Sequence, residues 1–295
     1  MRMLPQRLRT PHRARLEISS AQWPPADRSG DILEVRRHED GGLTAILADV
    51  CGNGALASTQ GKRVRGQMRA ALAAFRSPGV LLSVLGDLLH PETPLDGFVA
   101  AIAIHVEGDG RTLHVATAGH VGPFLQRGGR VEVCLPVSSG PPLGIFAGIE
   151  YGAITRSLCP GDVVVCVTDG VSDPFASEQD QTGVEGLRAQ IAALPDVGSV
   201  CRRLMWAASP LAADAAAFAV HIDESRSPHE EMADDDDHGL GKSHSSDQWA
   251  DAVASPRGSD RPRNLQRLFG SWASSPRTLA FLGDTAGADG EFARG

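Results

Sequence analysis

Aromatic side chains are scarce in this chain of 295 residues, at 5% with a single tyrosine, so any core must be built from Ala, Val, Leu and Ile. Paired cysteines are missing too. Cys51, Cys134, Cys159, Cys166 and Cys201 are scattered, odd in number and never spaced as CxxC, which argues against a zinc site and against a disulfide framework. No apolar run approaches the length that spans a bilayer. The basic start, MRMLPQRLRTPHRAR, has no apolar stretch of the signal-peptide kind. The chain is therefore expected to be soluble and cytoplasmic, without membrane contact. Positive charge is in deficit, with a formal net charge of −8, and this excludes a general nucleic-acid binder.

What is present reads as one globular unit with polar flanks. Residues 1–26 hold four prolines and no clear periodicity, and are expected to form an irregular or edge-strand lead-in. Residues 27–222 carry the globular pattern. GGLTAILADV (41–50) predicts a turn and a buried strand. ALASTQGKRVRGQMRAALAAF (55–75) has a helix-forming composition ended by Pro78, and VLLSVLGDLL (80–89) predicts a second helix closed by Pro91. FVAAIAIHV, RTLHVATA, GPFLQR and RVEVCL predict strands, with hairpin turns at EGDG (107–110) and RGG (127–129). AITRSL and DVVVCVT are expected to pair across CPGD. Two helices follow over 183–194 and 197–208, then a last strand, AAFAVHI (216–222). Clustered hairpins with segregated helices predict an α+β domain of antiparallel sheets flanked by helices, not a doubly wound parallel sheet.

Residues 223–295 change character. They are polar, charged and poor in apolar residues, so they are expected to form a largely disordered tail. Within it Leu265, Leu268, Phe269 and Trp272 fall at i, i+3, i+4 and i+7, one apolar face of a possible short helix over 263–273. Chance spacing, an intramolecular dock and a partner-binding helix all remain open for it. GLGKS (239–243) is no P-loop, because Asp236 stands where the first glycine belongs and no strand precedes it. The DDDD run (234–237) is read as solvated charge.

The chemistry lies in acids placed at strand ends. SGD ends at Asp31, LADVCGNG places Asp49 after an apolar strand, TDGVSD places Asp169 and Asp173 after another, and AADAAAFAV puts Asp214 ahead of the last. Each alone is a solvated turn acid. Together they suit Mg²⁺ or Mn²⁺, which take oxygen ligands and keep several waters.

At these residues the sequence resembles the SpoIIE/RsbU-type branch of the PPM (PP2C-like) metal-dependent protein phosphatases, from about Ser29 to Ile222. SGDILE is similar to that family's GGD-x-x-D segment, with Glu34 at the second acid, and DVCGNG to its D-V-x-G-H-G motif. FVAAIAIHV followed by LHVATAGHVGPFL, then SSGPPLGI, then LCPGDVVVCVTDGVSD match further family stretches in the same order. The resemblance implies a four-layer α-β-β-α sandwich, PP2C-like, with two Mn²⁺ or Mg²⁺ ions in a cleft. It also implies hydrolysis of phosphoserine or phosphothreonine on a protein partner such as a STAS-type anti-sigma-factor antagonist. Asp31, Asp49 and Asp169 take the catalytic metal-ligand positions, the Val50 carbonyl is a further ligand, and Asp173 is the second acid after TDG.

Two departures bear on activity. Asn53 replaces the His of D-V-x-G-H-G. At the end of the domain, gap-free alignment puts Ala213 on a metal-ligand Asp and Asp214 on the acid after it. Sliding by one residue makes Asp214 the ligand but turns the strand over, and FAVHI favours the unslid register. A non-catalytic relative that binds a phosphorylated partner is the alternative. His120, in TAGH, is expected to be structural, bonded to backbone, and Cys51 a passive small residue.

Overall fold

The computed structural model describes residues 14–25, 29–50, 54–90, 98–134, 139–178, 180, 183–194, 199–209 and 214–223, with backbone alone for 54–60. The remaining residues, among them Cys51, Asn53, Ala213, the tail beyond Asp223 and its expected helix over 263–273, lie outside the described residues.

Two five-stranded antiparallel sheets lie face to face. One runs β1 (Arg15–Trp23), β10 (Ala215–Asp223), β9 (Val163–Val167), β6 (Phe124–Arg127), β7 (Arg130–Val133). The other runs β2 (Asp31–Arg37), β3 (Leu43–Val50), β4 (Val99–Val106), β5 (Thr112–Ala118), β8 (Ile154–Ser157). Helices α1 (Gly54–Ala74) and α2 (Pro78–Leu89) cover the β2–β8 sheet; α4 (Val184–Ala192) and α5 (Val200–Ala207) cover the other. A single turn, α3 (Asp169–Ser172), follows β9 directly. The expected α+β, four-layer α-β-β-α sandwich is thus the architecture observed.

The near-absence of aromatics explains how the layers close up. In β4, Ala101 and Ala103 face α1 and α2, whereas Ile102, Ile104 and Val106 point between the sheets. In β10, Ala215, Ala217 and Ala219 face α4 and α5, whereas Ala216, Phe218, Val220 and Ile222 point between the sheets. Small residues let the helices approach, and branched ones fill the gap between sheets. The one tyrosine, Tyr151, is a clamp. Its backbone N–H donates to the Ser83 hydroxyl of α2 at 3.0 Å and its own hydroxyl donates to the Pro141 carbonyl at 2.8 Å.

The lead-in over residues 1–26 contains an edge strand, one of the two forms expected of it: Arg15–Trp23 pairs along its whole length with β10, so the folded unit begins before residue 27. Two expectations are corrected. AITRSL and DVVVCVT do not pair, because β8 borders β5 in one sheet and β9 lies between β10 and β6 in the other. CPGD therefore crosses between layers. The register argument against Asp214 also fails, because β10 is buried on both faces from Ala215 to Val220 and its hydrophobicity does not choose between registers. Among the described residues no helix is long and apolar enough to cross a membrane.

Candidate metal centre

Asp31 opens β2 and Asp49 nearly closes β3, and antiparallel pairing sets the two directly opposite each other. Like charges in that position repel at Cβ separations of about 5 Å. Asp31 is 1% exposed and Asp49 is half-buried, so water does little to relieve them. Asp169 enters from the other sheet, where β9 ends and α3 starts. Asp214 stands just before β10, the strand that neighbours β9. Burial pushes the Asp31 carboxyl up to about 8; Asp49, Asp169 and Asp214 push the same way, and a hydrogen bond from Thr168 pulls back. Burial, then the charges of Asp169 and Asp214, raise Asp49 to about 6. Four segments distant in sequence thus place their carboxylates within one another's field.

Short backbone and hydroxyl contacts hold this arrangement. Thr168 Oγ1 donates to Asp31 Oδ2 at 2.7 Å and accepts from the Ala216 N–H at 2.8 Å, tying β2 to β10. The Gly30 N–H donates to Asp214 Oδ2 at 2.5 Å, and the Ser29 hydroxyl donates to the same oxygen at 3.3 Å. Ser29 Oγ in turn accepts from the Asp31 N–H at 3.0 Å. The glycine of TDG has a steric cause: a Cβ on Gly170 would lie 1.9 Å from the Asp214 carbonyl oxygen. The glycine of SGD is nearly as confined, since its Cβ would lie 3.2 Å from the Val50 carbonyl oxygen.

Asp173 lies one turn after Asp169, and its backbone N–H donates to the Asp169 carbonyl. Both side chains are exposed on one side of that turn. Burial and the Asp169 charge raise the Asp173 carboxyl. Val50 pairs with Val99 and donates its N–H to the Gly30 carbonyl at 3.2 Å. Glu34 is elsewhere: Arg65 holds one oxygen at 3.0 Å and Arg69 the other at 2.9 Å, so it ties β2 to α1. His120 is half-buried with Nδ1 on the Val121 carbonyl at 2.8 Å; burial lowers its pKa and the Asp169 charge opposes that. Ser29, Gly30 and Thr168 were not singled out from sequence, although SGD and TDG contain all three.

Whether a hard cation suits these groups turns on Asp31. Its Oδ1 is buried and accepts no hydrogen bond, while Oδ2 is fixed by Thr168. A buried, unpartnered carboxylate oxygen facing a second carboxylate is costly unless a cation or a proton compensates it. The donor set is all oxygen, as Mg²⁺ and Mn²⁺ prefer. Among the described residues no three such side chains already close to ion-holding geometry. The all-oxygen donor set and the unpartnered Asp31 oxygen nonetheless fit the group.

The family model of stage II sporulation protein E (SpoIIE) matches residues 39–223, more than half of the chain. The chain belongs to the SpoIIE family. No curated protein matches it in sequence. Among solved structures, the PP2C phosphatase domain of SpoIIE from Bacillus subtilis, with a fragment of its regulatory domain, is 16% identical with a TM-score of 0.62, over 70% of this chain and 63% of that one. The RsbU and RsbW domains of Rv1364c from Mycobacterium tuberculosis are 19% identical with a TM-score of 0.62, over 74% and 62%. The chain thus spans under two thirds of either. The catalytic domain of the serine/threonine protein phosphatase PstP, in complex with two manganese ions, is 16% identical with a TM-score of 0.52, over 71% and 99%. At these identities the likeness establishes the PP2C-like fold.

Proposed function

We propose that this protein is a metal-dependent phosphatase that removes phosphate from phosphoserine or phosphothreonine on a regulatory protein. Asp31, Asp49, Asp169 and Asp214 would hold two Mn²⁺ or Mg²⁺ ions, with the Val50 carbonyl and Asp173 at the margin of the site. Asp214, rather than the neighbouring Ala213, is the ligand in this reading, because its charge acts on both Asp31 and Asp49. When bound, such ions supply Lewis acidity, activating water and neutralising phosphoryl oxygens.

The protein's own residues do the positioning. Thr168 pins Asp31 by one oxygen and leaves the other available, so the most buried carboxylate keeps one orientation. Gly30 and Ser29 do the same for Asp214. Asp169 and Asp173 stay exposed, which suits a phosphorylated residue presented by another protein rather than a ligand engulfed in a deep pocket. Membership of the SpoIIE family and the resemblance to its RsbU-type branch support a small anti-sigma-factor antagonist of STAS type as that partner.

The observation that carries the reading is the buried, unpartnered Oδ1 of Asp31 set across from Asp49. Hydrolysis of p-nitrophenyl phosphate and of a phosphoserine peptide, with MnCl₂ and with EDTA, tests it. Turnover that requires the metal is expected. Binding of a phosphorylated partner without turnover at any metal concentration would replace it with the non-catalytic alternative.

A further inference from the structure

The chain has four tryptophans, and they divide two and two. Trp23 and Trp206 lie in the folded unit, 56% and 83% exposed, and Trp249 and Trp272 lie in the stretch beyond Asp223. The two exposed indoles line one shallow hollow of about 510 Å³, together with Ala21, Arg202 and Met205. It forms where α5 crosses β1, the edge strand. Trp, Met and Arg dominate the contacts of protein interfaces, and such a patch is costly to leave wet. The hollow sits at a corner of the metal centre. Trp23 pairs with Ala215, next to Asp214, and the Gln22 amide beside it donates to the Asp31 carbonyl at 2.7 Å.

We propose that residues 265–272 of this same chain dock in that hollow through Leu265, Leu268, Phe269 and Trp272. Reach permits it. Asp223 pairs with Arg15 at the far end of the β1–β10 ladder, and Trp23 ends the near one. Eight residue steps of strand separate the two ends, about 27 Å. The 42 residues from Asp223 to Leu265 span about 35 Å as a flexible chain, close to that separation. A tether so matched holds the segment at an effective concentration of about 1 mM, so a contact with an intrinsic Kd of about 0.1 mM is closed about ten times in eleven. Charge is compatible with the same occupant. Residues 261–272 carry Arg261, Arg263 and Arg267 and no acid, and Asp214 immediately precedes Ala215, the strand partner of Trp23. Among the described residues Arg202 is the one cation of the lining, and the apolar stripe of the proposed segment carries no charge to oppose it. A docked segment puts the tail at the edge of the metal centre, where an incoming phosphoprotein meets it.

The full chain carrying Trp249→Phe and Trp272→Phe keeps Trp23 and Trp206 as its only indoles, and so reports on the hollow alone. Its emission and acrylamide quenching are compared with those of the same chain carrying Leu268→Asp and Phe269→Asp as well. The expected result is a blue-shifted, protected emission that moves to the red and quenches more readily once the two aspartates are present. Protection should be unchanged over roughly a hundredfold range of protein concentration, as an intramolecular contact requires. Identical emission and quenching in the two chains would overturn the proposal and leave the hollow for a foreign partner. Protection that grows with concentration would overturn it in favour of a second copy.

Discussion

The β2–β3 hairpin ends in polar groups at both extremes, and the two ends could hardly differ more. At the turn end His38 Nε2 lies 2.7 Å from the Thr44 hydroxyl, which lies 2.8 Å from His105 Nδ1. His105 stacks on His114, whose Nε2 meets Glu107 at 3.1 Å and whose Nδ1 meets Thr155 at 3.1 Å. Every imidazole in this row has a partner. Burial keeps His38 and His105 neutral, the former pushed down to about 4. At the open end Asp31 faces Asp49 with an oxygen that has none. Polar groups that are fully hydrogen-bonded fix an architecture, whereas a like-charged pair without compensation marks a place kept for something else.

The largest expected effect breaks the open end. Asp169→Asn keeps the shape and removes the charge a hard cation needs, so metal-dependent turnover should fall at least about 100-fold, or about 2.7 kcal/mol, with the melting temperature unchanged. Wild-type turnover of phosphoserine peptide by the purified variant would show that the carboxylate cluster is not the metal centre.

Next, the two ends should respond to pH with opposite sign. Asp31 at about 8 and Asp49 at about 6 both lie above their ordinary 3.8. The folded state therefore holds protons that the unfolded chain has released, and stability falls as pH climbs through that window. His38 at about 4 lies below its ordinary 6.5, so its contribution rises with pH over that interval. The two trends oppose each other up to about 6.5, and above it Asp31 is left to act. In EDTA, the unfolding free energy read by urea denaturation should fall by about 2 kcal/mol between pH 6.5 and 8. Asp31→Asn or saturating Mn²⁺ should flatten that decline, and an unchanged slope in Asp31→Asn would assign it to other groups.

A third change sharpens the ligand set. Asp214→Ala should raise the half-saturating Mn²⁺ concentration about tenfold, which is about 1.4 kcal/mol, and Ala213→Asp should leave it where it was. A lower Mn²⁺ requirement in Ala213→Asp would restore the gap-free register. The smallest effect belongs to the closed end. Thr44→Val deprives both His38 and His105 of their shared hydroxyl and should cost about 1 kcal/mol of stability, read by urea denaturation, with kcat unaltered.

Much of this was legible without coordinates. Hydrophobic periodicity and turn chemistry are local properties, so both long helices, the β4–β5 and β6–β7 hairpins and the buried last strand could be read directly. The acids at strand ends were legible for the same reason, because a strand followed by glycine delivers its next side chain to a loop. What local pattern does not encode is which strands share a sheet. β8 and β9 are neighbours in sequence and lie in different layers, and β1 was legible only as an edge-strand alternative for a proline-flanked stretch, because an edge strand alternates weakly. The role of Asp214 was likewise undecidable from a strand buried on both faces. The sequence by itself determined most of the inventory, namely eight strands and four helices of the globular part, their breaks and five aspartates at strand ends. Only the tertiary structure decided that Thr168 grips Asp31, that Gly30 grips Asp214, and that four of those charges share one field, since each of these depends on contacts across 137 residues or more.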